Sequence, residues 1–254
     1  RSHAHYVAKG GSLEKMLGEL YGKETGCAQG KGGLMHLIDL DAGFLAAVPI
    51  VGSTIPIAVG TAWAKKLKRD TSKTVVFLGE GATETGVFHE SLGFAALHNV
   101  PIIFICENNL YSVYTHLRDR QSPNRSLKEI VEGHGIKHFH GNGNSVEDVS
   151  SIFREGTFEN ENNAPVFFEF DTYRWLEHCG PNYDDHLKYR EDSEVSMWKD
   201  RCPINTFEKK LIDEGILSHQ ELEKYLEKLN IEIEEAFKKA KKSSFLSKEH
   251  LYEK

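Results

Sequence analysis

The chain has 254 residues and a formal net charge of -7, enough for one α/β domain with a helical appendage around a substantial core. Its acidity, with an isoelectric point of about 6.0, argues against a nucleic-acid surface, and no apolar run approaches the length of a membrane span. Cys27, Cys106, Cys179 and Cys202 form no CxxC and show no paired spacing, so reduced, cytosolic-type use is expected. The chain opens at Arg1 rather than at a methionine, so it is read as lacking its natural start and a targeting segment is not judged. A cytoplasmic protein of bacterial type is expected, with the mitochondrial matrix as the alternative.

After Arg1-Ser2-His3-Ala4-His5, Ser12 begins a helix with Leu13, Met16, Leu17 and Leu20 on one face. Gly26, Gly30, Gly32 and Gly33 then crowd the segment YGKETGCAQGKGGLMH. Closely spaced glycines could cradle a phosphate, but no helix-opening GKS or GKT follows, so this is no Walker motif and turns are expected. Ala46 to Ser53 leads into a helix capped by Ser53, whose Ile57, Gly60, Thr61 and Ala64 give a small-residue face for tight packing.

The most informative run is Thr74 to Tyr111, TVVFLGEGATETGVFHESLGFAALHNVPIIFICENNLY. Val75, Val76, Phe77 and Leu78 read as a buried parallel strand ending at Gly79. Gly79-Glu80-Gly81 turns the backbone where Cβ atoms would obstruct a ligand. Val87, Phe88, Ser91, Leu92, Ala95 and Ala96 recur at helical spacing until Asn99-Val100-Pro101 ends the helix. Ile102 to Ile105 form a second buried strand that runs into Glu107-Asn108-Asn109. This is one βαβ unit, and its right-handed crossover sets both strand ends on the same sheet edge. The Glu80 carboxylate and the Asn109 amide should therefore face each other across one crevice, as hard oxygen ligands for Mg²⁺ or Ca²⁺.

Leu110 to Gln121 reads as a loop leaving that site, with Tyr111, Ser112, Tyr114 and His116 open to a substrate. Ser126 caps a helix over Leu127 to Glu132. His134, His138 and His140 lie close together and invite a metal reading, but the glycines and asparagines of GHGIKHFHGNGNS favour turn chemistry. Val146 to Phe158 is an amphipathic helix. Pro165 to Phe170 is a third strand, running into DTYRWLEHCG. Ile204 to Asp213 reads as a helix, and Ser218-His219-Gln220-Glu221 is a capping box opening a long one. Leu222, Leu226, Leu229, Ile233 and Phe237 make its docking stripe, and the lysine-rich tail is a solvated end.

The run carrying Gly79-Glu80-Gly81 and Asn108-Asn109 resembles the thiamin-diphosphate motif, Gly-Asp-Gly followed at a distance by Asn-Asn. GEGATETGVFHESLGFAAL and PIIFICENNLYS are similar to the alpha subunit of heterotetrameric 2-oxo acid dehydrogenases of the pyruvate, acetoin and branched-chain types. The resemblance implies an α/β thiamin-diphosphate-binding fold, a mostly parallel sheet flanked by helices. That domain would span residues 1–200, with a C-terminal helical extension over 201–254. It implies that Glu80 and Asn109 ligate Mg²⁺ (or Ca²⁺) through their side chains and Tyr111 through its carbonyl. Gly79, Gly81 and Ala82 would line the cofactor's diphosphate. Arg1 falls at an arginine that holds the diphosphate, a task that suits a bidentate guanidinium. His3 would lie near the cofactor in a catalytic role, and Pro49 and Val51 match residues whose backbone groups hold the aminopyrimidine ring. Lys31 and His36 fall in a loop lining the approach. His178 aligns with an active-site histidine, able to shuttle a proton or bind an anionic group at neutral pH. Tyr189-Arg190 aligns with the end of a mobile loop.

Three departures from the pattern matter. The family's Asp is Glu80 here, and the extra methylene works against the octahedral geometry that Mg²⁺ demands. Glu84 and Thr85 stand where the family more often has an Asn and an acid. Cys179 and Lys188 occupy positions where serines serve kinase control in mitochondrial relatives, so regulation of that kind is not expected.

Thiamin chemistry also needs a glutamate at the cofactor's pyrimidine, and no residue here matches it by motif. In the resembling enzymes the beta subunit supplies it, which makes this chain half a site in an α₂β₂ assembly. The activity implied is decarboxylation of a 2-oxo acid with acyl transfer to the lipoyl domain of an acyltransferase. A carboligase that passes the two-carbon unit to a carbonyl such as a sugar is the alternative favoured by the EHCGPNYDDH loop. A catalytically silent subunit is kept open by Glu80.

Overall fold

A computed structural model describes residues 2–158 and 164–252. In chain order the elements are α1 (Ser2–Ala8), α2 (Leu13–Leu20), α3 (Thr54–Leu67), β1 (Thr74–Gly79), α4 (Gly86–Leu97) and β2 (Ile102–Asn108). A two-stranded hairpin of β3 (Tyr111–Ser112) and β4 (Thr115–His116) follows, then α5 (Leu117–Arg120), α6 (Leu127–Gly133) and β5 (Lys137–Asn142). The rest comprises α7 (Val146–Phe158), β6 (Val166–Asp171), α8 (Asp192–Asp200), α9 (Pro203–Asp213) and α10 (His219–Lys242).

β1, β2, β6 and β5 lie side by side in that order as one wholly parallel sheet. This is the helix-flanked parallel α/β architecture expected from the sequence. One face is covered by α3, α4 and α6, whose Ile55, Val59, Phe88, Leu92 and Val131 share a core with Val76, Phe104 and Phe167. On the other face Val149, Ile152 and Phe153 of α7 pack against Ile103, Ile105, Phe168 and Phe170. β1 departs from the expectation of burial on both faces. It is an edge strand, and the α7 cluster contains residues of β2 and β6 but none of β1, so Val75 and Phe77 stay exposed while Val76 and Leu78 are buried.

The histidine-rich segment also departs from expectation. It forms a strand, β5, rather than turns, because Lys137 to Asn142 pair in register with Val166 to Asp171. Turns flank the strand: Gly135, at φ 82°, precedes it, and at its end the Asn144 N–H is accepted by the Asn142 side chain at 3.0 Å.

The chain forms two compact units, residues 51–213 and residues 1–50 together with 214–254. This grouping follows packing and cuts the chain elsewhere than at residue 200: α9 goes with the sheet and α10 with α2. In the second unit Ala236 and Ala240 of α10 pack on Leu13 and Leu17 of α2, and Lys239 reaches Glu14 at 3.0 Å. The capping box at Ser218 and Glu221 is formed as the sequence spells it. Leu226, Leu229 and Ile233 of the expected docking stripe remain exposed.

In the same unit the glycine-rich segment has a structural task. The fully buried carboxylate of Glu19 accepts four backbone N–H groups, from Ala28 (2.7 Å), Gly30 (2.9 Å), Gly32 (2.7 Å) and Gly33 (2.9 Å). A side chain at Gly26 would put its Cβ 2.3 Å from a Glu19 oxygen, so the loop can close on the acid only with glycine there. These N–H groups face an internal anion rather than an external phosphate. Removing that anion strands several donors in a closed loop. Glu19→Ala is expected to lower the unfolding free energy by about 3 kcal/mol or more. Urea unfolding measures it, and a change within about 0.5 kcal/mol, the range of a neutral surface substitution, would contradict the assignment.

Candidate functional site

The pairing of β1 with β2 sets Gly79 opposite Glu107, and that of β2 with β6 sets Asn108 opposite Asp171. Glu80, the Asn108-Asn109 pair and the segment after Asp171 therefore leave the sheet at one edge. Glu80 opens a 3₁₀ turn over Glu80–Glu84, tied by the Thr83 hydroxyl donating to the Glu80 carbonyl at 2.6 Å. Gly81 matters within it, because a Cβ there would lie 3.0 Å from the Ser112 hydroxyl. The glycine thus lets β3 close onto the turn. A Cβ at Gly79 would meet open space, and Ala82 is buried.

The Glu80 side chain is 3% exposed, and its Oε1 accepts a hydrogen bond from Arg120 Nη2 at 2.6 Å. The other guanidinium nitrogen of Arg120 contacts Glu84, which also accepts from Gln121 Nε2 at 2.6 Å. Arg125 donates to the Thr83 carbonyl at 2.8 Å and to Gln121 at 3.0 Å. Glu80, Thr83, Gln121, Arg125 and Glu169 border a polar cavity of about 130 Å³. Sequence reasoning missed both arginines, since nothing in RDRQSPNR says which basic residue turns inward.

Asn108, rather than Asn109, lines that cavity. The two asparagines divide the work. Asn108 donates to Glu169 at 2.8 Å and accepts the Leu110 N–H at 3.2 Å, while Asn109 accepts the Tyr111 N–H at 3.0 Å. These side-chain turns hold Leu110 at φ 69°, and Val113 follows at φ 55°, both left-handed conformations rare for such residues. The Tyr111 ring is not open to a substrate as the sequence suggested. It is buried against Tyr173 and Tyr189, with its hydroxyl donated to Glu194 at 2.8 Å. Burial and that carboxylate push its phenol pKa up. His116 is also engaged, accepting the Arg118 N–H as the cap of α5, whereas Tyr114 is exposed.

Glu169 was unremarked in the sequence, although an acid inside the apolar strand VFFEF is a signal that a partner must be near. Its second oxygen pairs with His138 Nε2 at 3.0 Å, and His138 is stacked on Phe167. Burial pushes the Glu169 carboxyl up, but hydrogen bonds from His138 and Asn108 outweigh it and hold the group below the ordinary carboxylate range. His140 pairs with Asp171 at 2.9 Å. Among the described residues no group of three or more His, Cys, Asp and Glu side chains is arranged to hold a metal, and His138 and His140 each pair with a carboxylate of β6.

His178 is half-buried in the segment after β6, in a turn closed by the Glu177 N–H on the Asn182 carbonyl at 2.8 Å. The segment beyond is fixed by ion pairs. Arg190 is buried against Asp184 and Asp185, Tyr189 donates to Asp184 at 2.7 Å, and Arg174 donates to the Val113 carbonyl at 2.8 Å. His3 lies half-buried on α1, Pro49 is half-buried and Val51 is exposed. Arg1 lies outside the described residues. Cys106 is fully buried, and burial raises its thiol pKa well above the usual value, so it is no nucleophile.

The depressed Glu169 carboxyl carries a pH signature. A group held below its unfolded value contributes stability that is present above the unfolded pKa and is lost as pH falls through the folded one. Glu169→Gln should therefore be less stable than the parent at neutral pH. The difference should shrink on acidification below the carboxylate range of about 4. Urea midpoints across that range measure it, and a difference that grows in acid would contradict the pairing.

Comparison with known proteins identifies the family. The family model described as the dehydrogenase E1 component matches residues 1–249. The chain is 34% identical over 253 residues to the pyruvate dehydrogenase E1 component subunit alpha of Rickettsia bellii, covering 99% of this chain and 76% of that protein. It is 33% identical over 244 residues to the chloroplastic subunit alpha-3 of Arabidopsis thaliana, covering 93% and 56%. For the mitochondrial subunit alpha of Pisum sativum the identity is 33% over 245 residues, covering 96% and 60%. With the match running almost from end to end, the chain belongs to the dehydrogenase E1 component family, as an alpha-type subunit of the thiamin-diphosphate-dependent 2-oxo acid dehydrogenases.

Proposed function

We propose that this chain supplies the diphosphate- and metal-binding half of a thiamin-diphosphate site, completed by a beta subunit, in an enzyme that decarboxylates a 2-oxo acid. The observation that carries this is the shared sheet edge, where neighbouring parallel strands release a carboxylate and an amide together. Glu80 and Asn109 side chains with the Tyr111 carbonyl make a set of hard oxygens, the chemistry that Mg²⁺ takes. They would hold the ion against the diphosphate, with Gly79, Gly81 and Ala82 beneath it and Arg1 on its phosphate oxygens. The Pro49 carbonyl and the Val51 backbone would orient the aminopyrimidine. Ile50 and Val51 are 70% and 66% exposed, an apolar pair that a cofactor or partner would cover.

Thiamin diphosphate, when bound, supplies the electron sink for decarboxylation. This chain's residues position it, and His178 with His3 would move a proton or hold the substrate's carboxylate. Glu80, Glu84 and Glu169 are already engaged: the first two pair with Arg120, and Glu169 with His138 and Asn108. A beta subunit would contribute the acid that activates the cofactor in an α₂β₂ assembly, and a lipoyl domain would receive the acyl group. The relatives above are named for pyruvate, which makes pyruvate the first substrate to test.

Calorimetric titration of thiamin diphosphate with Mg²⁺ into the chain assembled with its beta subunit tests the site. Glu80→Ala should abolish metal-dependent binding, and an unchanged affinity would remove Glu80 from it. His178→Ala should slow turnover about 100-fold or more while leaving cofactor affinity unchanged. Normal turnover would overturn its role.

A further inference from the structure

The contact between Arg120 and Glu80 bears on how the ion enters. We propose that Arg120 and the divalent ion compete for the Glu80 carboxylate, and that Glu84 takes over Arg120 when the ion binds. This rests on the metal site proposed above.

Arg120 Nη2 lies 2.6 Å from Glu80 Oε1, with the arginine side chain 12% and the glutamate 3% exposed. A divalent ion arriving at the same carboxylate would lie close to the guanidinium, and two cations near one another repel where solvent screening is weak. That repulsion favours release of the arginine. It already touches Glu84 through its other terminal nitrogen, and Glu84 is the more exposed acid at 30%. Its Nε is anchored on the Thr115 carbonyl at 3.1 Å. Released from Glu80, the guanidinium would still have these two partners.

The exchange is coupled to the backbone. Arg120 ends α5, whose first N–H, that of Leu117, is donated to the Leu110 carbonyl at 2.7 Å. Leu110 is the left-handed residue directly before Tyr111, the source of the proposed carbonyl ligand. One segment thus carries both a ligand for the ion and the cation that occupies the ion's acid without it. The ion would pull Tyr111 in as it displaces Arg120, so that metal loading and the setting of residues 110–121 become one event. Glu84 is the chain's own addition to the motif, and it gives the displaced charge a place to go.

Mn²⁺ binding to the assembled protein with thiamin diphosphate, read from the electron paramagnetic resonance of free Mn²⁺, tests this without measuring turnover. Arg120→Gln should tighten Mn²⁺ by about fivefold or more, the usual size of a coupling between linked sites. Glu84→Gln should weaken it, because Arg120 then has Glu80 as its remaining acid, and the double variant should follow Arg120→Gln. Weaker or unchanged binding in Arg120→Gln, with Glu80→Ala still abolishing binding, overturns the competition alone. If Arg120→Gln fails to assemble, unchanged binding in Glu84→Gln overturns it instead. Mn²⁺ binding that survives Glu80→Ala overturns the metal site itself and the competition with it.

Discussion

The parallel register of β1 on β2 is the constraint on which the site depends. With Gly79 opposite Glu107, both strands end level, and the residues that follow them must emerge side by side. A crossover of the usual hand through α4 fixes that edge as the carboxyl edge of the sheet. β6 then ends at Asp171 in register with Asn108, bringing the segment of His178 to the same edge. A shift of one residue in either pairing would move Glu80 or Asn109 out of the position that the proposed ion site needs. The apolar side chains of α3, α4 and α7 hold the register by burying both faces of the central strands.

Around that edge, buried acids are each answered by particular donors. Glu80 has Arg120, and Glu169 has His138 and Asn108. Away from it, Glu19 has four backbone N–H groups. A carboxylate taken out of water must have its lost hydration replaced by such donors. The three solutions serve different ends. Backbone donors fix a loop permanently, and a histidine and an amide orient a turn. Under the competition proposed above, the guanidinium on Glu80 is the donor that a divalent ion would displace.

Local signals in the sequence were enough for the elements with strong periodicity or punctuation. The β1–α4–β2 unit, the Ser126 and Ser218 caps and α7 all follow from spacing and capping residues. Where pairing with a distant strand decides the outcome, local chemistry misled. GHGIKHFHGNGNS carries turn residues, yet β6 recruits its middle as a strand, and the two histidines meet carboxylates on that neighbour. Val75 and Phe77 look as buried as Val76, but strand position in the sheet is not written in the strand itself. The backbone of the candidate site was legible through GEG and ENN. Arg120, Arg125 and the Glu169 pairing were not, because long polar side chains are placed by partners far away in sequence.

In the proposed site, Glu80 and Asn109 clasp one divalent ion at this edge. Anomalous diffraction from Mn²⁺ in crystals of the assembled protein with thiamin diphosphate addresses it directly. A single strong peak is expected at about 2.0–2.4 Å from a Glu80 carboxylate oxygen, the Asn109 amide oxygen and the Tyr111 carbonyl. A peak coordinated elsewhere, with Glu80 still held by Arg120, would contradict it.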